Sequence, residues 1–214
     1  IRGASESDII SIFSRLNSFS LPLNTQEKRN SLYAGELKSL VYEIASEYNT
    51  FWTEFKILSP NMIARMADAL LVSDIIYTIL YGIKSSSSPG VDRMYSEFDD
   101  DFPQKNEIYK NFNSTVTVLG NFLESSHVRT VFKPKFMFYS LFLVIYERLF
   151  GFTEQDVETT GEIHIQKSLE SLEHFCVKYV RSDFDPVFKA KFKQSTGNVA
   201  QRKYRHSELS KLIH

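Results

Sequence analysis

The chain has 214 residues, of which 43% are hydrophobic and 24% charged, with a formal net charge of −1. That length buries a substantial core, and the composition is that of a globular protein rather than a disordered or fibrous one. The single cysteine, Cys176, excludes an intramolecular disulfide and any multi-cysteine zinc site and fits a reducing cytoplasm, while 8 glycines and 6 prolines are too few for a many-turned all-β fold.

Ser5 to Asp8 opens a helix in which Ile9, Ile12, Phe13 and Leu16 recur at helical spacing. A loop follows to Pro22. Asn24 or Thr25 then caps the next helix, with Glu27 at the capping-box position if Asn24 is the cap. Leu32, Leu37, Leu40, Val41, Ile44 and Ala45 mark its buried side, and Gly35 is a bend within it or a break between two helices. Phe51, Trp52 and Phe55 form an aromatic anchor. Ser59 and Pro60 start a helix that runs through Ile63, Met66, Leu70, Asp74 and Ile79 towards Gly82, apolar around so much of its circumference that it belongs at the centre.

The run SSSSPG at 85–90 predicts a flexible loop, and the acidic stretch after it a short exposed helix. Ile108, Phe112, Val116, Leu119 and Leu123 make an amphipathic stripe. A core helix spans Phe136 to Phe150, bounded by Pro134 and Gly151; its apolar run is shorter than the roughly 20 residues of a membrane span. After a polar connection, amphipathic segments cover Ile163 to Val180 and Phe184 to Phe192. Thr196 to Asn198 is a turn and cap, and Val199 to Ile213 a last, basic helix. With no alternating strand pattern and no internal repeat, the fold class is all-α: an irregular multi-helix bundle of roughly eight to ten helices.

Charge is unevenly placed. From Asp92 to Glu107 six acids face two bases, and from Lys178 to His214 nine bases face three acids. A basic end on a near-neutral protein is a polyanion surface in outline.

Little else carries chemistry. Neither GxxxxGK[ST] nor GxGxxG occurs. His164 and His174 fall on different helix faces, with no CxxC or HExxH to support them, so no metal and no cofactor is expected. Cys176 reads as a buried, inert thiol. Glu54-Phe55-Lys56 matches the E-x-K of metal-dependent nucleases but lacks an upstream aspartate and a strand to aim it. Asp99-Asp100-Asp101 has no EF-hand spacing and reads as a solvated acidic loop.

Two groups remain as candidates. On the last helix, Arg202, Lys203, Arg205 and His206 cluster beside Tyr204, where they either contact nucleic-acid phosphates or form a solvated basic face. Near the start, Arg15, Asn17, Gln26, Arg29 and Asn30 either cap helices and knit a polar loop or converge on phosphates and base edges.

The segments Ile12-Phe13-Ser14-Arg15-Leu16-Asn17 and Leu21-Pro22-Leu23-Asn24-Thr25-Gln26-Glu27-Lys28-Arg29-Asn30-Ser31-Leu32-Tyr33-Ala34-Gly35 resemble the linker-helix signature of GmrSD-like restriction and phage-defence proteins, built on a ParB/sulfiredoxin-like fold. Arg65-Met66 with Asp68, and Thr196-Gly197-Asn198 followed by Arg202 and Arg205, look similar to further elements of that family. The family's DGQQR-type motif does not occur, nor does its HNH-type nuclease domain. The resemblance implies that residues 1–23 are the tail of an absent ParB-like catalytic domain and a linker, and that 24–214 are the helical domain. It implies a non-catalytic, cytoplasmic DNA-binding or positioning module with no membrane segment. A nuclease or NTPase subunit and a homodimerising scaffold are the alternatives.

Overall fold

The computed structural model describes residues 22–84, 88–153, 159–193 and 198–214, and every regular element among them is an α-helix. The twelve helices are α1 (Thr25–Leu32), α2 (Glu36–Glu47), α3 (Asn49–Glu54), α4 (Pro60–Ile63), α5 (Ala67–Tyr81), α6 (Ser88–Glu97), α7 (Lys105–Leu123), α8 (Ser126–Phe132), α9 (Lys135–Phe150), α10 (Ile165–Arg181), α11 (Pro186–Lys193) and α12 (Val199–Ser210). The helix expected from Ser5 and the turn at Thr196 and Gly197 lie outside the described residues.

Local chemistry sets the boundaries. Asn24 is the cap of α1: its Oδ1 accepts from the N–H groups of Gln26 and Glu27, both at 2.9 Å, while Glu27 Oε2 accepts the Asn24 N–H at 2.7 Å. Gly35 is a break. The Asp99 carboxylate accepts the N–H groups of Ala34 and Gly35, and the Asp99 and Phe98 carbonyls accept those of Glu36 and Leu37, which satisfies the first turn of α2 from a distant loop. A Cβ on residue 35 would fall on the Asp99 carbonyl, so only glycine permits that approach. Asp99 is therefore a helix cap rather than part of a solvated loop.

Three other expectations change. The helix expected from Pro60 to Gly82 is two helices, interrupted at Met66, whose left-handed φ of 58° ends one and starts the next. The acidic segment forms α6, which begins within the expected loop at Ser88 and buries Val91, Met94 and Tyr95 against the core. Leu32, expected on a buried side, is 74% exposed because the break at Gly35 removes it from the stripe of α2. The twelve helices among the described residues agree approximately with the expected eight to ten, the excess being short ones such as α3 and α4.

The centre is α9. Its residues Met137 to Tyr146 are buried without interruption, and it packs on α5, α7, α8 and α12. Aromatic rings fill the contact: Phe142 lies 4.6 Å from Phe112 of α7 and 6.3 Å from Phe138, which itself meets Trp52 of α3 at 5.6 Å between centroids. Gly151, at φ 76°, ends α9 and turns the chain so that the Thr153 N–H reaches the Ile79 carbonyl of α5 at 3.0 Å. A second aromatic stack, Phe184, Phe188 and Phe192 at spacings of 4.1 and 4.5 Å, holds α11 beneath α10 and α12.

Gly35→Ala forces the Asp99 loop away from α2 and removes its cap, and is expected to lower stability by about 3 kcal/mol. A urea midpoint equal to that of the wild type would contradict the close approach.

Candidate anion-binding site

The site begins with the phase of α12. Positions 202, 205, 206 and 209 follow the i, i+3, i+4, i+7 pattern of a buried stripe. Arg202 is 5% exposed, Arg205 0%, His206 9% and Leu209 0%. Ala200, Lys203, Ser207 and Lys211 face solvent. Arg202, Lys203, Arg205 and His206 therefore do not form one solvent-facing basic surface. Three of them occupy core positions, because Leu209 and Ile213 drive that side of the helix inward, and Lys203 alone lies outside.

Each inward base is met by a group on α5 or α9. The Arg202 guanidinium forks onto Asp74, with Nη1 donating to Oδ1 at 3.1 Å and Nη2 to Oδ2 at 2.8 Å, and Nη1 also donates to the Tyr139 hydroxyl at 2.8 Å. The guanidinium carbon sits 4.6 Å from the Tyr139 ring centroid. Burial opposes the charge of Arg202, but the Asp74 hydrogen bond and the neighbouring Tyr139 outweigh it, and its pKa is raised. Burial also pushes the Tyr139 hydroxyl upward, so it stays neutral. Arg205 donates through Nε to Ser140 Oγ at 3.3 Å and lies 5.3 Å from the Phe136 ring. Burial lowers the pKa of Arg205, and the positive charge of Arg202 lowers it further. His206 Nε2 meets Glu147 Oε2 at 2.6 Å, tying α12 to the far end of α9.

The amino-terminal candidates divide in the same way. Gln26 is buried and donates to the Tyr95 hydroxyl at 2.9 Å, which pairs with Ser73 of α5 at 2.8 Å. Glu27 accepts Arg65 Nε at 2.6 Å and Nη2 at 3.0 Å. Those bonds, the Asn24 N–H among them, hold its carboxyl below the usual range. Arg29, 2% exposed, donates to Asp92 at 2.7 Å and to Gln26 at 3.2 Å. Asn30 is half-buried, and its carbonyl accepts from Lys38 at 2.8 Å. Arg15 and Asn17 lie outside the described residues.

The two groups meet. Arg29 from α1 and Arg202 and Arg205 from α12 line one cavity of about 260 Å³. Lys135 and Phe136 enter it from the first turn of α9, where the Pro134 cap position supplies no side-chain hydrogen bond. Asp74, Tyr139 and Thr25 add polar groups, and Leu70, Leu71 and Val91 an apolar wall. Arg29, Lys135, Arg202 and Arg205 thus line a small recess beside the first turn of a 16-residue helix, with Arg29 paired to Asp92 and Arg202 to Asp74. Such an arrangement favours an anion with several oxygens.

Sequence reasoning did not single out Asp74, Tyr139 or Lys135 as site residues. Asp74 carried a signal: a carboxylate in the middle of an otherwise apolar helix requires a buried cation. The spacing of Arg202, Arg205 and Leu209 already named that cation's helix.

Elsewhere, Glu54 and Lys56 are both exposed at the end of α3. Cys176 is buried at 0% exposure, and burial pushes its thiol up to about 12. Among the described residues no cluster of three or more His, Cys, Asp or Glu is placed to hold a metal ion, and no helix is long and apolar enough to cross a membrane. Compared with protein-family models, curated proteins and solved structures, the chain matches none.

Removing one partner of this part-buried ion pair takes away the main counter-charge of the other. Arg202→Met is expected to destabilise the fold by about 3–5 kcal/mol, and adding Asp74→Leu to recover most of that loss. Chemical denaturation of the two single variants and the double variant measures the coupling; additive losses would contradict the pairing.

Proposed function

We propose that this chain is a helical, non-catalytic module of a GmrSD-like restriction-type defence protein that engages DNA through its phosphates. The observation that carries the reading is the convergence of Arg29 with Arg202 and Arg205, from opposite ends of the described chain, on one cavity that Lys135 also lines. A recess of this kind offers charge-assisted, forked hydrogen bonds to phosphate oxygens. The exposed Lys203 and Lys191, the latter 4.9 Å from the Tyr204 ring, extend positive charge along the outside of the same end of the molecule. The resemblance in the Gln26–Asn30 segment and in the Arg202–Arg205 segment supports the restriction-type assignment, since both segments contribute to the cavity. Cytoplasmic location and attachment to a catalytic ParB-like domain belong to the same proposal.

The expected behaviour is salt-sensitive DNA binding that weakens as counterions compete for the phosphates. Changing Arg202, Lys203 and Arg205 together to glutamate is a poor probe, because two of the three are core residues and the fold would fail with them. Arg205→Met keeps the stem and removes the charge. It is expected to weaken DNA binding about tenfold while retaining the wild-type circular dichroism spectrum. Unchanged affinity in a folded Arg205→Met protein, measured by fluorescence anisotropy at fixed salt, would overturn the site.

A further inference from the structure

α10 carries its bases along one side. Lys167, His174, Lys178 and Arg181 are separated by seven, four and three residues, with Ser171 in the gap, and so share one face of the helix over about 21 Å. The opposite side, with Leu172 and Cys176, is buried in the core. Lys167, Lys178 and Arg181 are exposed, and among the described residues none of the three is in an ion pair. Arg29 and Arg202, by contrast, are already held by Asp92 and Asp74. Of the acids on α10, Glu170 lies at the edge of this row and accepts from Gln166 at 2.8 Å, and Glu173 faces away to the Ser125 hydroxyl.

Beside the row, between α10, α11 and the end of α12, lies a groove that shares no residue with the cavity of Arg29 and Arg202. Phe175, Phe184, Phe188 and Leu212 supply its apolar surface. His174 and Lys178 line it from α10, and Lys211, paired with Glu208 at 2.6 Å, lines it from the end of α12. Phe192, Phe188 and Phe184 stack nearly parallel, at interplanar angles of 15° and 16°. Burial relaxes along that stack, from a fully buried Phe192 to a half-buried Phe184. The outermost ring therefore presents aromatic surface at the groove.

A row of unpaired cations along a helix suits a ligand whose negative charge repeats, as that of a nucleic-acid backbone does. Aromatic surface next to such a row suits bases, every one of which has a π-face. In a duplex the bases face one another and do not reach Phe184, so the ligand is a single strand. An acidic peptide side chain anchored at the groove meets Lys178 and Lys211 and leaves the ends of the row, Lys167 and Arg181, without a partner.

We propose that α10 is the track for a single nucleic-acid strand, whose phosphates lie along Lys167, Lys178 and Arg181 and one of whose bases stacks on Phe184 in the groove. This rests on the reading of the chain as a nucleic-acid-binding module and gives that module a second face.

Fluorescence anisotropy on the 214-residue protein compares a short oligothymidine with an abasic strand of equal length, which keeps the phosphates and lacks the bases, and with a blunt duplex. The oligothymidine is expected to bind about tenfold tighter than the abasic strand. Phe184→Leu keeps apolar bulk, removes the ring and brings the two strands to equal affinity. Lys178→Gln combined with Arg181→Gln, both at exposed positions that the core does not depend on, weakens both strands and lowers the salt slope by about 1.4. Equal affinity of the wild-type protein for the two strands overturns the base contact, whether or not Phe184→Leu folds. An unchanged salt slope in the Lys178 and Arg181 variant overturns the track. If the duplex binds while neither strand does, this proposal fails and the general DNA reading stands; if no nucleic acid binds, both fall. Polyglutamate that displaces the oligothymidine as effectively as unlabelled oligothymidine does assigns the groove to an acidic protein segment and overturns the proposal.

Discussion

Asp74 sits on a helix whose neighbouring residues Leu71, Val72, Ile75 and Ile76 are all buried, and its carboxylate is met by Arg202, 128 positions further along the chain. That pair dictates how the last helix docks. A buried ion pair contributes little net stability, since desolvation offsets much of the attraction, but a misplaced one is heavily penalised. Rotating α12 by one residue, about 100°, would leave Asp74 and Arg202 both unpaired. The pair thus selects one register for α12 against α5 and α9. Arg205 and His206 follow from that register, the first beside Phe136 and the second onto Glu147.

The amino-terminal motif serves a matching purpose at the other wall of the cavity. Its polar residues are spent one by one on neighbouring elements: Gln26 on Tyr95 of α6, Glu27 on Arg65 at the break after α4, Arg29 on Asp92 of α6. These bonds join the Gln26–Asn30 segment to the Arg65–Asp68 segment, for Glu27 and Arg65 are partners and Asn24 also donates to the Arg65 carbonyl at 2.8 Å. The knit holds α1 in place, and only then does Arg29 reach the cavity. A motif that looks like a binding signature is mostly a clasp, with one arginine facing the site.

Much of the fold was legible because helical spacing speaks plainly in long amphipathic segments. The stripe Ile108, Phe112, Val116, Leu119 became α7, and Phe136 to Phe150 became the central helix. What escaped depends on distant partners. Nothing near Gly35 announces that Asp99 will cap the helix beside it, and nothing near Met66 announces a left-handed residue. The candidate site was legible in its parts and not in its arrangement. Arg29, Arg202 and Arg205 stood out as basic residues, while their burial and convergence needed the three-dimensional path of the chain. The basic composition of the last helix suggested an outer surface; its periodicity, with Arg202, Arg205 and Leu209 on one side, pointed inward.

The central claim is that Arg29, Arg202 and Arg205 act as one anion site. Arginine side-chain NMR, following the Nε–H resonances of a ¹⁵N-labelled protein during titration with inorganic phosphate, tests it most directly. The account predicts that the three resonances shift together and saturate at one phosphate per chain. Shifts confined to exposed arginines such as Arg93 and Arg181, with the three buried ones unmoved, would contradict it.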